Sequence, residues 1–364
     1  MGIDWLALIV FVFIFGLLIF IHELGHFLAA KRANVLVSEF AFGFPPRLWA
    51  KKVGETEYAL NLIPFGGYVK MLGEGDDPDA SLKKNPRSYA HQPWQIRAKI
   101  ILAGVTMNAL LAYVIIILGL LFGWPGLMTP PNEVPLAIIS PKVEIEAVEV
   151  ASPGERLGLL AGDRLLKLDG QAIINRESLI EQLQTKAGQT VEIQIKRNGQ
   201  DLVLSGELNQ KPPVLGVALN DRTTYRLPFY WAPIYAIYET GRALSVLVVG
   251  IVQFLATTVT TQSIPEGAAG PVGIYVATKD YLAAGFWPLA AFTALLSANL
   301  AVLNVLPIPA LDGGHLLFII LERLNKGRRV LAHQIESLLH LVGFAFFLIL
   351  ILAITYKDIL QLLS

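Results

Sequence analysis

Apolar residues in this chain gather into long blocks instead of alternating with polar ones. The stretch IDWLALIVFVFIFGLLIFI carries one charge near its start and then none until His22. Blocks at about Ile3–Ala30, Ile100–Phe122, Phe286–Ile308 and Leu338–Ile354 each approach or exceed the roughly 20 residues a helix needs to cross a bilayer. A fifth, Ala243–Thr261, also lacks charge. Between Pro130 and Pro228 the pattern changes. Val143, Ile145 and Ala147 alternate with charged neighbours, and so do Val191, Ile193 and Ile195. Asn198-Gly199 follows as a two-residue hairpin signal, then Leu202 and Leu204. Arg176–Lys186 has the spacing of a short helix with Leu179, Ile180 and Leu183 on one face. This region predicts a small α+β domain outside the membrane. Ser38–Leu72 is too interrupted for a helix and predicts short strands and turns, with Gly43, Gly66 and Gly67 as bends.

Composition agrees with a membrane protein carrying a soluble insert. Of 364 residues, 54% are hydrophobic and 16% charged, against about 25% charged in soluble domains. The net charge of zero gives no argument for nucleic acid, and the absence of cysteine excludes disulfides and thiolate metal sites. The first apolar run lacks a basic leader region and passes unbroken into a motif, unlike a secretory signal. Lys31, Arg32, Arg47, Lys51, Lys52, Lys70, Lys83, Lys84 and Arg87 crowd the first loop, and Lys326, Arg328 and Arg329 the last. Basic loops favour the cytoplasm, so about four spans put both loops inside. Five would put the second one outside, and Ala243–Thr261 is therefore expected to lie on the membrane surface. Trp5, Trp124, Trp231 and Trp287 are expected as interfacial anchors.

His22-Glu23-Leu24-Gly25-His26 ends the first block. HExxH on a helix sets two imidazoles one turn apart on one face, able to grip zinc, with the glutamate placed to handle a water proton. Ionisable groups at membrane depth are costly and mark function. A catalytic zinc takes three protein ligands. Asp312, in Asn304-Val-Leu-Pro307-Ile-Pro309-Ala-Leu311-Asp312-Gly313-Gly314, is the third candidate, at a depth that matches the histidines under four spans. Pro307 and Pro309 break the helix, and Gly313 and Gly314 allow close backbone approach. A scissile peptide must be held extended, and the apolar-flanked amides Asn304 and Asn299 are candidate partners for its backbone.

HELGH together with NVLPIPALDGG resembles the site-2 protease family of intramembrane zinc metalloproteases, in the bacterial branch that cleaves anti-sigma factors. AFGFPPRLW and NLIPFGGYVKMLGE resemble that family's membrane-associated β-hairpin region, ASPGERLGLLAGDRLLKLDG its permuted PDZ domain, and GPVGI its segment before the third span. The resemblance implies a polytopic α-helical membrane protein. The first two transmembrane helices would lie within 1–125, with the β region at about 36–75. An extracytoplasmic PDZ domain would occupy 130–228, a membrane-surface helical region 229–280, and the last two transmembrane helices 281–364. It implies Zn2+ held by His22, His26 and Asp312, Glu23 as general base, and substrate contacts from Asn304 and Asn299. It implies location in a bacterial inner membrane, with the active site near the cytoplasmic face. Expected substrates are single-pass membrane proteins, such as anti-sigma factors or remnant signal peptides. One PDZ unit fits here where some relatives have two. It would either bind a peptide or exclude bulky substrates, and Leu157-Gly158-Leu159 would either line its groove or pack its core. The rival reading is a PDZ-bearing scaffold or chaperone with a vestigial metal site. A metal transporter ranks last, because the second and fourth spans are almost purely apolar.

Overall fold

The computed structural model describes residues 4–74, 85–129, 133–221, 223–261, 269–325 and 333–363. Of the basic residues used for orientation, Lys83, Lys84, Lys326, Arg328 and Arg329 lie outside these. The chain forms two compact units, residues 1–116 with 237–364, and residues 117–236.

The first unit starts with α1 (Trp5–Arg32), capped by the Asp4 carboxylate, which accepts from the Leu6 and Ala7 amides at 3.1 Å. Lys31 and Arg32 close its last turn, where cations suit the helix dipole. Two long antiparallel strands follow, β1 (Val37–Val53) and β2 (Thr56–Met71). They are longer than the short strands expected because each bends instead of ending. Residues 39–42 pair with both 57–60 and 67–70, so two strands make four staggered segments, with 67–71 along one edge. Gly43 and Gly66 supply the bends at φ 84° and 147°. Gly67 has another use: a Cβ there would come within 3.1 Å of the Glu23 Cγ. Gly16 likewise leaves room for the Phe42 ring, so the sheet lies along α1. Glu55, at the strand turn, accepts from Arg87 at 2.7 Å and Lys31 at 2.6 Å, which holds its carboxyl down to about 2.

α2 (Trp94–Phe122) runs into the second unit. There, β3 (Ile138–Ser140) pairs with β10 (Thr224–Arg226). The larger antiparallel sheet contains β4 (Val143–Val148), β5 (Arg164–Leu168), β6 (Gln171–Ala172), β7 (Thr190–Arg197), β8 (Gln200–Glu207) and β9 (Val217–Asp221). Its order is β8-β7-β5-β4-β9, with β6 beside β5, and α3 (Pro153–Arg156) and α4 (Arg176–Thr185) accompany it. This is the predicted α+β insert. Asn198 and Gly199 both have positive φ and close the β7–β8 hairpin, the backbone that Asn-Gly favours. Val191, Ile193 and Ile195 are buried with Leu165, Leu168 and Leu179. Leu157 and Leu159 belong to the same core, so that segment packs the domain. Ile180, expected on the buried face of α4, is 37% exposed. Trp124 is no interfacial anchor: it is fully buried, and Gly119 has no side chain where the indole sits.

α5 (Ala232–Thr261) begins eleven residues before the expected apolar block, because the helix continues through Glu239 and Arg242, which interrupt the block but not the helix. α6 (Pro271–Ala284), α7 (Phe286–Val305), α8 (Asp312–Leu324) and α9 (His333–Leu363) complete the chain. Five helices of the described residues are long and apolar enough to cross a membrane: α1, α2, α5, α7 and α9. α5 contains the Ala243–Thr261 stretch expected to lie on the membrane surface, and its length and apolar character would also let it cross. α6 lacks a side-chain cap of its own. Asp358, from α9, accepts instead from the Gly270 amide at 2.9 Å and the Gly273 amide at 2.7 Å.

Candidate metal centre

His22 and His26 stand one turn apart on α1, both buried, with ring centroids 4.7 Å apart. Asp312, the first residue of α8, meets them. Its Oδ2 lies 3.0 Å from the His22 Nε2 and 3.2 Å from the His26 Nε2, and the two nitrogens are 3.1 Å apart. The fold therefore brings together the three ligand candidates read from the sequence. The reach across 286 residues depends on the break after α7. Gly313 and Gly314 nest against the carbonyls of residues 305, 306 and 308, where any Cβ would collide with backbone. Arg97 of α2 pairs with Glu322 of α8 at 2.9 Å, and the Arg323 guanidinium lies over the Trp94 ring at 5.9 Å, which anchors the far half of α8.

Protonation decides what this triangle can do. The His26 Nδ1 lies 2.9 Å from the Ile100 carbonyl, which only accepts, so Nδ1 carries the proton and Nε2 offers a lone pair. The Asp312 Oδ2 is buried without a hydrogen-bond donor. Lone pairs thus converge at distances close to the edge of a tetrahedron around zinc, about 3.3–3.4 Å for bonds of about 2.0–2.1 Å. Two imidazoles and a carboxylate form a catalytic zinc donor set, and the residues fit that ion.

Three residues that sequence reasoning missed complete the pocket. Gly104 of α2 faces both imidazoles, and a Cβ there would run into the His26 Nε2 and come within 2.8 Å of the His22 Cε1. Gly25 lets α1 approach the α2 backbone, because its Cβ would meet Ala103. Asn108, fully buried, puts its amide 3.3 Å from the His22 Nδ1. Its Oδ1 has no partner. Turning the amide over gives the His22 Nδ1–H an acceptor and frees the His22 Nε2 for metal. Ser297 of α7 donates to the Asn108 backbone carbonyl at 2.8 Å. An amide inside an otherwise apolar span was the available signal for Asn108.

Glu23 is half-buried beside Gly67 of β2. Asn299 and Asn304 lie on α7, both half-buried, with Asn304 in its last turn. Among the described contacts neither touches the triangle.

Fold and site together define a metallohydrolase centre set among membrane-length helices. Comparison with known proteins agrees. Residues 10–350 match the model of peptidase family M50, and the chain belongs to that family. A Clostridium perfringens protein is 35% identical over 359 residues, covering 95% of this chain and 96% of its own. The zinc metalloprotease RasP of Oceanobacillus iheyensis is 29% identical over 440 residues, covering 98% and 99%. The regulator of sigma-W protease RasP of Bacillus subtilis is 28% identical over 444 residues, covering 98% and 99%. At least 80 of those 444 positions (444 less 364) have no counterpart in this chain. A solved PDZ domain of an SdrC-like Listeria monocytogenes protein is 24% identical, covers 21% of this chain and 85% of its own, and has a TM-score of 0.20, a likeness that decides nothing about the fold.

Proposed function

We propose that this protein is a zinc-dependent intramembrane endopeptidase that cuts transmembrane segments of single-pass proteins, such as anti-sigma factors or remnant signal peptides. The observation that carries the reading is the convergence of the His22, His26 and Asp312 ligand atoms within 3.2 Å at the end of a membrane-length helix. When bound, zinc polarises the scissile carbonyl and acidifies water towards neutral pH. Glu23 accepts the proton of the attacking water and returns it to the leaving amine. The Ile100 carbonyl keeps the His26 proton on Nδ1, and the turned Asn108 amide does the same for His22. The sheet segment 67–71, beside Glu23, holds the substrate extended, and Asn304 and Asn299 serve its backbone. An apolar cavity of about 620 Å³ lined by Val12, Phe13, Gly16, Phe20, Phe42 and Leu60 suits the side chains of a membrane segment.

The basic residues of the first loop support a cytoplasmic position for the β region and the active site, with the insert outside the cell. There the insert, a single PDZ-like domain, delays cleavage until a first protease has shed the substrate's outer part. The test is Glu23→Gln in purified protein with a reporter span. Zinc stays bound and cleavage falls by about 10²–10⁴-fold. Undiminished cleavage refutes the mechanism. Absence of cleavage in the zinc-loaded wild type, with peptide binding by the insert unchanged on removal of zinc, points to the scaffold reading instead.

A further inference from the structure

The loop between α7 and α8 carries Asp312 but has little internal structure to hold it. Among its backbone bonds are Ile308 N–H to the Leu306 carbonyl at 2.7 Å and Leu311 N–H to the Ile308 carbonyl at 3.2 Å. Ala310 sits at φ 81°, a region that strains a residue with a Cβ and persists only when its surroundings enforce it. The enforcement comes from α9. The Ala310 amide donates to the His340 Nδ1 at 2.9 Å. One turn further on, Gly343 lies against the Pro309 carbonyl so closely that a Cβ would overlap it. The His315 ring, on α8, stacks on His340 with centroids 3.9 Å apart and planes 15° apart, and Phe318 meets His340 edge-on at 5.5 Å. α9 thus grips the loop at two successive points and rests on the first turns of the helix that Asp312 begins.

His315, Glu336 and His340 also bring one ligand-capable atom each within 4.8 Å of one another. They do not make a second metal site. Imidazole lone pairs lie in the ring plane, and two nearly parallel stacked rings cannot both aim at one ion. The His340 Nδ1 is also committed to Ala310, which leaves the proton on Nε2.

We propose that His340 is a positioning residue for the zinc ligand Asp312, acting through the Ala310 amide. This rests on Asp312 being a ligand. Without the acceptor, the Ala310 N–H is left unsatisfied and the strained turn relaxes. Asp312 then loses its fixed approach to His22 and His26.

The experiment measures zinc affinity of the full-length protein in detergent, by competition with a chelator, together with deuterium uptake by the peptide containing Ala310. His340→Phe keeps an aromatic ring for His315 and Phe318 but offers no acceptor. His340→Asn can place a carbonyl oxygen where Nδ1 was. The expected result is zinc affinity about 10–100-fold weaker for His340→Phe, as for other residues that orient metal ligands, with faster exchange at Ala310. His340→Asn stays within about threefold of wild type. Wild-type affinity in His340→Phe overturns the proposal, and so does His340→Asn failing as badly as His340→Phe. Asp312→Ala runs in parallel. If it retains zinc like wild type, the ligand assignment itself is wrong. If it loses zinc while His340→Phe does not, only the positioning role fails.

Discussion

The helical unit and the α+β insert differ in where their buried polar groups come together. In the insert, the buried polar residues Ser152, Asp163 and Asn175 finish local backbone. Ser152 and Asn175 cap α3 and α4, and Asp163 accepts from the Leu160 amide at 2.8 Å and from Arg197. Its stability comes from a core of Val, Ile and Leu withdrawn from water. In the helical unit, His22, His26, Asn108 and Ser297 are buried on three different helices, and together they build one site. Glycines bring those helices together, since lipid offers apolar side chains no gain from leaving it. The insert uses its buried polar groups on local backbone, while the helical unit, besides caps such as Asp358, gathers four of them from three helices around one candidate site.

The sharpest way to break this contrast is Gly104→Ala. The added methyl collides with the His26 Nε2, so zinc content and cleavage should both disappear, while deuterium exchange across the insert stays unchanged. Leu168→Ala is the mirror image. It empties a fully buried position in the insert and should destabilise that unit by about 2–5 kcal/mol, read as faster exchange in β5 and β7, with zinc content intact. If either variant disturbs both units, the division of labour is wrong.

Asn108→Leu removes the acceptor proposed for His22 without adding charge. Zinc affinity should fall about 10–100-fold, with cleavage recovering as zinc is raised. The smallest expected effect lies in the insert. Burial alone would raise the Asp163 carboxyl, but hydrogen bonds from Arg197 and the Leu160 amide outweigh it and hold it below the usual carboxylate range. A carboxyl depressed on folding contributes stability at pH values above its unfolded pKa, and the contribution is lost as pH falls through the folded value. Arg197→Met should destabilise the insert at pH 7, and the difference from wild type should shrink in acid. Exchange rates measured at pH 7 and pH 3.5 read this directly.

The same contrast explains what could be read from the sequence. Alternation and Asn198-Gly199 located the β7–β8 hairpin, because in water the side-chain pattern and the fold share one cause. The spacing of HELGH picked out two candidate ligands and the proline-broken segment with its Asp-Gly-Gly a third, and the fold brings the three side chains together. Gly104 escaped because close helix approach in lipid leaves no periodic signature, whereas Asn108 showed only as a lone amide in an apolar span. A glycine in an apolar run looks like filler until its neighbour is known. The extra reach of α5 was hidden for a related reason. Glu239 and Arg242 end an apolar block by composition, but a helix tolerates them and Glu239 is fully buried.

The cap that Asp358 places on α6 bears on how the protein is made. Ribosomes deliver Gly270 88 residues before the carboxylate that accepts its amide. Until α9 emerges, α6 has an open N-terminus, although its Tyr275 hydroxyl already has the Asp4 amide to accept from, at 3.1 Å. The unit that holds the candidate metal site therefore closes only once α9 has been made, and a nascent chain stalled before α9 lacks both this cap and the His340 contact to the loop before Asp312.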